Sequence, residues 1–287
     1  MIEPVLKDDP LLADIAAANR DDGNFRLWWL GQSGFLVQWQ GRHLLFDPYL
    51  SDSLTRKYAA TDKPHVRMTA RAADPAKLDF IDVITSSHNH TDHLDGETLG
   101  PLLRANNDVT LVIAAANRRF VADRLQIDPS MPVGIEIGEE ISAGAFRIEA
   151  VPAKHDELGP EFVGYIVGFG PWTIYHSGDT LLYDGMAERL SPFKVDVALL
   201  PINGAAPERR VAGNLNGVES ARLGKAMGAR TVIPCHYEMF EFNTADPREF
   251  VEECKKVGQA HQVLRCGERW DSADHLGIGR APVAQNS

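Results

Sequence analysis

Ser87-His88-Asn89-His90-Thr91-Asp92-His93-Leu94-Asp95 places three histidines and an aspartate within six residues. The apolar run Phe80-Ile81-Asp82-Val83-Ile84-Thr85 precedes it, so a strand over 80–87 is expected to deliver the polar loop at its end. Imidazole nitrogens and carboxylate oxygens are the donors that zinc, manganese and iron accept. A loop leaving a strand can turn His88 and His90 towards one ion and Asp92 and His93 towards another. The plain alternative is a polar loop that happens to be rich in histidine, and four ligand-type residues at this spacing rarely arise that way.

Four residues cannot complete two coordination shells, so further ligands are expected at other strand ends. His155 follows Ile148-Glu149-Ala150-Val151-Pro152, Asp179 follows Trp172-Thr173-Ile174-Tyr175-His176, and His236 follows Thr231-Val232-Ile233-Pro234. Each run is short and rich in β-branched or aromatic residues, the composition of a strand. Sites in layered α/β proteins collect at the C-terminal edges of strands, which is where these residues stand.

At 287 residues the chain is long enough to bury a sizeable core. A formal charge of −11 argues against a broad phosphate-binding surface, so no nucleic-acid partner is expected, although a small anion remains within reach of a few local Arg or Lys. Met1-Ile2-Glu3-Pro4-Val5-Leu6-Lys7 lacks the basic start and apolar segment of a secretory signal. No apolar run approaches the roughly 20 residues of a membrane span, so no membrane partner is expected. Cys235, Cys254 and Cys266 show no paired spacing, which suits a reducing compartment. A cytoplasmic protein is expected.

A short helix is expected over about 9–19, followed by strands at 25–30, 35–39 and 43–46, the last two joined through Gln40-Gly41-Arg42. Residues 51–78 show no clear period and read as a long irregular stretch, the kind that serves as a lid or substrate loop. From residue 80 strands and helices alternate, with helices at 95–106, 117–126, 183–190, 217–228 and 247–257 and a second β-rich block over 133–179. Two β-rich blocks, each trailed by helices, imply two sheets packed face to face with helices outside. No convincing boundary interrupts residues 1–287, which read as a single domain.

Asp47, His88-x-His90-x-Asp92-His93, His155, Asp179 and His236, in that order, resemble the metallo-β-lactamase superfamily. Within it the chain looks most like the L-ascorbate-6-phosphate lactonase family. The matching segments are Trp28-Trp29-Leu30-Gly31-Gln32-Ser33-Gly34, the His88 motif, Tyr175-His176-Ser177-Gly178-Asp179, Val195-Asp196-Val197-Ala198-Leu199, and Val232-Ile233-Pro234-Cys235-His236 through Ala245-Asp246-Pro247. The chain departs from the lactonases by being shorter between His155 and Asp179 and by carrying Pro201-Ile202-Asn203-Gly204-Ala205-Ala206-Pro207 in place of a more polar segment.

The resemblance implies an α/β fold, a four-layer αββα sandwich, and a binuclear metal site. It would place His88, His90 and His155 on one ion and Asp92, His93 and His236 on the other, with Asp179 bridging. Five imidazoles and two carboxylates without a thiolate admit two divalent ions, manganese or zinc, with iron also fitting. It implies an enzyme, a metal-dependent hydrolase in which a bridging hydroxide opens a small anionic lactone or ester, with Asp92 orienting the nucleophile or shuttling its proton alongside Asp179. The alternatives are a phosphodiesterase and, in another class, a metal-binding sensor or scaffold without turnover. The same relatives suggest a homo-oligomer.

Each ligand also has a bland reading: His155 as a surface residue in Lys154-His155-Asp156, Asp179 as a turn residue, His236 as a hydrogen-bonded core residue. Their place in the ordered set favours ligands. Asp47, in Phe46-Asp47-Pro48, reads as a brace for the metal loop rather than a ligand. Arg56, Asn203, Arg209, Arg210 and Tyr237 are the expected substrate contacts, with Arg67, Asn214 and Asn216 behind them. His43, His65, His261 and His275 read as structural, and Cys235 as a core residue.

Overall fold

Gln40 and Gly41 both take positive φ, 47° and 73°, which suits the two-residue hairpin turn joining strands that pair Gln38 with His43 and Trp39 with Arg42. The computed structural model describes residues 1–277 and builds this hairpin into the first of two mixed sheets. In chain order the strands are β1 (Phe25–Gly31), β2 (Gly34–Trp39), β3 (Arg42–Phe46), β4 (Val83–Ser86), β5 (Thr110–Ala114), β6 (Val133–Ile135), β7 (Glu140–Ala143), β8 (Phe146–Lys154), β9 (Leu158–Phe169), β10 (Trp172–His176), β11 (Val197–Pro201), β12 (Thr231–Cys235) and β13 (Arg269–Asp271). The first sheet runs β13-β1-β2-β3-β4-β5-β6 and the second β12-β11-β10-β9-β8-β7.

The first sheet has three antiparallel and three parallel pairings, and the second has three antiparallel and two parallel. Strands β3, β4, β5 and β6 run parallel, as do β10, β11 and β12, while β8 and β10 both oppose β9 and so point the same way. The consequence is that the C-terminal ends of β4, β8, β10 and β12 can face one edge of the sandwich. Strands β1, β4, β11 and β12 are buried on both faces, which explains their near-continuous apolar sequence. Between the sheets Phe25 of β1 meets Phe169 of β9 at 5.3 Å, Trp172 of β10 at 5.2 Å and Trp270 of β13 at 5.4 Å.

The described α-helices are α1 (Asp9–Ala17), α2 (Ser53–Tyr58), α3 (Gly96–Ala105), α4 (Arg118–Leu125), α5 (Met186–Leu190), α6 (Gly217–Met227), α7 (Arg248–Val257) and α8 (Ser272–His275). Helix α6 packs on β11 and β12 and against α7, and α3 packs on α4, giving the expected four-layer αββα sandwich. Among the described residues no helix is long and apolar enough to cross a membrane.

Three differences from expectation have physical causes. Residues 51–78 are not wholly irregular: α2 forms there, a six-residue helix too short for periodicity to reveal. Strand β13 and helix α8 were not foreseen, because a three-residue strand leaves no alternation to read. Asn216 is a helix cap: its side chain accepts from Glu219 N while the Glu219 carboxylate accepts from Asn216 N. The expected single domain extends to residue 287, of which 278–287 lie outside the described residues.

Candidate metal centre

The His88 loop leaves β4 and is pinned from behind. Asp47, at the end of β3, accepts from Ser87 N at 3.1 Å and Thr85 Oγ1 at 3.3 Å, and also from the Ser87 hydroxyl. The oxygen that takes the Ser87 hydroxyl, Oδ2, also faces His93 Nδ1 at 2.7 Å. Occupying Nδ1 in this way fixes the ring and leaves His93 Nε2 to point forward.

The remaining donors arrive from the second sheet. His155 directly follows β8, with Nδ1 3.0 Å from Gly213 O. Its Nε2 lies 3.1 Å from His90 Nδ1. His236 directly follows β12 in the left-handed region, φ 62°, held by its own N–H on Gln32 O at 3.0 Å. Asp179 follows the turn after β10, where Gly178 has φ 58°. A Cβ on Gly178 would sit 2.6 Å from Ser87 Cβ and 2.9 Å from Val163 O, so only glycine lets this turn abut the His88 loop.

Two donor groups result. His88, His90 and His155 form one, and Asp92, His93, Asp179 and His236 the other, with donor atoms in each group within 4.8 Å of one another. Asp179 reaches both: Oδ1 is 3.3 Å from His93 Nε2, while Oδ2 is 3.1 Å from His236 Nε2 and 3.7 Å from His155 Nε2. A third grouping, Asp47 with His88 and His93, is also close-set, but Asp47 is already occupied by the loop behind it.

The electrostatics suit a cation. Burial, reinforced by neighbouring imidazoles, holds His88 well below the ordinary histidine range, and burial lowers His155, so both rings stay neutral and keep a lone pair. At His93 burial alone would act downwards, but the Asp179, Asp92 and Asp47 carboxylates outweigh it and hold the ring well above its usual value. Burial would raise Asp179, yet His236 and His93 keep it well below the usual carboxylate range. Two carboxylates among imidazoles therefore call for positive charge at the centre.

The residues fit a metal on a further observation. His88 Nε2, His93 Nε2 and Asp179 Oδ1 are buried without a hydrogen-bond partner among the described residues. Buried polar atoms are rarely left so, and divalent cations coordinated by these atoms would satisfy all three.

Five of the seven donors, His90, Asp92, His155, Asp179 and His236, line a cavity of about 470 Å³, a size suited to a small organic molecule. Of the expected substrate contacts, Arg210 lines it. Its guanidinium also pairs with Asp62 at 2.6 Å. The other four are placed elsewhere. Arg56 turns outward to pair with Glu97, because successive residues on α2 point about 100° apart, and it is the neighbouring Lys57 that lines the cavity. Asn203 bridges Asn243 Oδ1 at 2.9 Å and Asn214 Nδ2 at 3.1 Å, acting as a loop clip. Arg209 donates to the carbonyls of Asn203 and Thr244. Tyr237 is buried, stacks on Trp29 at 4.4 Å and donates its hydroxyl to Leu264 O.

His65, read from the sequence as structural, also lines the cavity. Arg124 was also missed. It donates to Asn89 O at 2.7 Å and Leu94 O at 3.1 Å, fastening both ends of the ligand loop from α4. His176 stacks on Phe46 at 4.8 Å with Nε2 facing Ser33 O, and Cys235 is buried with its thiol pushed well above the ordinary range by burial.

Gln32 had a place in the resemblance but no assigned role. Its side chain is wholly buried, with Nε2 2.7 Å from Asp92 Oδ2 and 3.0 Å from His236 Nε2, and its backbone is left-handed at φ 51°. The amide orients two donors of one group. Gln32→Leu is expected to weaken metal binding by about tenfold with little change in thermal midpoint. Competition titration against a chromophoric chelator measures this, and wild-type affinity would leave the amide without that role.

Comparison with known proteins follows the same lines. The family model described as a beta-lactamase superfamily domain matches residues 42–237, a span that holds Asp47 and all seven donors. A UPF0173 metal-dependent hydrolase of Saccharolobus solfataricus is 27% identical over 247 residues, covering 85% of this chain and 97% of the relative. Another, from Carboxydothermus hydrogenoformans, is 29% identical over 252 residues, covering 85% and 98%. An isothiocyanate hydrolase from Delia radicum gut bacteria superposes with a TM-score of 0.69 at 19% identity, covering 85% of this chain and 98% of that one. A metallo hydrolase from Ignicoccus hospitalis does so at 0.64 and 23%, covering 86% and 98%. These two likenesses speak to the fold alone.

Proposed function

Since the chain belongs to the beta-lactamase superfamily domain family, we propose that it hydrolyses a small anionic lactone or ester at a two-metal centre. It is a metal-dependent hydrolase of the metallo-β-lactamase superfamily with a His/Asp metal-binding cluster. The observation that carries the two-metal reading is Asp179, whose carboxylate reaches His93 and His236 of one donor group and His155 of the other. Two divalent ions, manganese or zinc by preference, would supply Lewis acidity to a carbonyl and lower the pKa of a water towards neutral when held there.

The chain's own residues set the rest. His88, His90 and His155 would hold one ion, and Asp92, His93 and His236 the other. Asp92, whose Oδ2 accepts from Gln32 Nε2 at 2.7 Å, would orient a water and take its proton. Lys57 and Arg210 are exposed cations lining the same cavity, and they support an anionic substituent on the substrate. The sequence resemblance to L-ascorbate-6-phosphate lactonases supports a lactone as the electrophile. Phosphodiester hydrolysis is the second reading, favoured by the same carboxylate between two donor groups, since paired metals also serve in-line displacement at phosphorus.

The test is hydrolysis of a phosphorylated sugar lactone and an activated phosphodiester, side by side, by manganese- or zinc-loaded protein. Lactone turnover well above that of the Asp179→Ala variant is the expected result. Turnover of the diester alone would overturn the lactone reading in favour of the second.

A further inference from the structure

Three half-buried rings with no place in metal binding line the cavity alongside Asp92 and His236: Tyr58, His65 and Phe242. They come from the end of α2, the loop after it, and the loop after His236, so the chain brings them together from two distant regions. Tyr58 stacks on His65 at 4.1 Å and 16° between planes, and Phe242 meets His65 at 4.5 Å and 57°. The buried Phe240 closes on His65 edgewise at 5.3 Å.

This assembly has its own foundation. Tyr49, Leu54, Met239 and Phe240 form a small hydrophobic cluster separate from the main core, and Tyr58 and Phe242 pack against it. Rings placed there for stability alone would gain by full burial, yet these remain partly open towards the cavity. His65 contributes as an uncharged ring: burial lowers it from the ordinary histidine range, and Nδ1 faces Lys63 O at 3.2 Å. Of the arginines lining the cavity, Arg124 is turned to backbone carbonyls and Arg210 to Asp62. Lys57 holds its ammonium 5.0 Å over the Tyr58 ring, so this side of the cavity offers π faces and edges with a single cation beside them.

We propose that Tyr58, His65 and Phe242 form a specificity wall that seats a flat, unsaturated ring on the non-reacting part of the substrate. The preferred lactones or esters then carry an aryl group. The proposal rests on the hydrolase reading above for its chemistry, but the wall is a binding feature in its own right. Aromatic rings prefer offset or edge-to-face partners, and each such contact favours a flat ring over a puckered one of equal size by about two- to tenfold.

The test uses γ-phenyl- and γ-cyclohexyl-γ-butyrolactone, which share the scissile bond and differ in flatness, with metal-loaded protein and Asp179→Ala as blank. The phenyl lactone is expected to be favoured about fivefold or more in kcat/KM. In His65→Leu and Phe242→Leu that ratio is expected to fall towards one. Calorimetric binding of 3-phenylpropionate against 3-cyclohexylpropionate should show the same preference in wild type and its loss in the same two variants. Equal binding of the two acids by wild type, or a preference unmoved in both variants, overturns the wall. If neither lactone is turned over but the phenyl acid still binds preferentially, the lactone reading fails and the wall stands. If both lactones are opened alike and both acids bind alike, the wall fails and the lactone reading stands.

Discussion

With Asp179 replaced by alanine, turnover is expected to fall about a thousandfold or more, to the level of the metal-free protein. The reason is positional. This one carboxylate addresses His93 through Oδ1 at 3.3 Å and both His236 and His155 through Oδ2, at 3.1 and 3.7 Å. Alanine removes the one carboxylate that reaches both donor groups, and it leaves the surrounding rings without their shared partner. Metal content by emission spectrometry should drop with activity. His261→Ala is the matched control, because its ring packs edgewise on Phe250 and takes no part in the donor groups. Wild-type turnover in Asp179→Ala would remove Asp179 from the site.

Replacing Asp47 by alanine is expected to weaken metal binding by about 10- to 100-fold although Asp47 is assigned to no ion. The carboxylate is fully buried and receives Ser87 N, the Ser87 hydroxyl, Thr85 Oγ1 and His93 Nδ1. Alanine leaves those groups unpaired in the interior and lets the His93 ring turn. A stability loss of about 3 kcal/mol is expected alongside, from stranded buried polar groups. Denaturant midpoints of the metal-free protein separate the two effects. Unchanged stability together with unchanged metal affinity would show that Asp47 does not brace the loop.

The donor residues were legible because their signal is local. An imidazole or carboxylate placed just after an apolar run needs only strand periodicity and ligand chemistry to be noticed, and His88, His155 and His236 each follow such a run closely. The fold was legible for a related reason. Buried strands such as Val197–Pro201 and Thr231–Cys235 have little polar sequence, and the helix at Gly217–Met227 is closed by Gly228 in the left-handed region. Substrate contacts resisted the same treatment. Loop arginines and asparagines carry no period, and Arg209, Asn203 and Tyr237 are each consumed by backbone or side-chain partners that residue type cannot reveal.

The sequence by itself determined the identity and order of seven candidate metal donors, the strand ends that carry them and the layered class of the fold. Tertiary structure alone decided the direction in which each remaining side chain points. One step along α2 sends Arg56 to Glu97 and Lys57 to the cavity, and His65 joins the cavity wall through rings supplied from residues 58 and 242. Gln32 becomes a support for the metal centre through partners 60 and 204 residues away in sequence. The physical reason is that ligand chemistry belongs to a residue, and strand or helix preference to its near neighbours. Orientation is set by contacts between segments that meet only after the two sheets have packed.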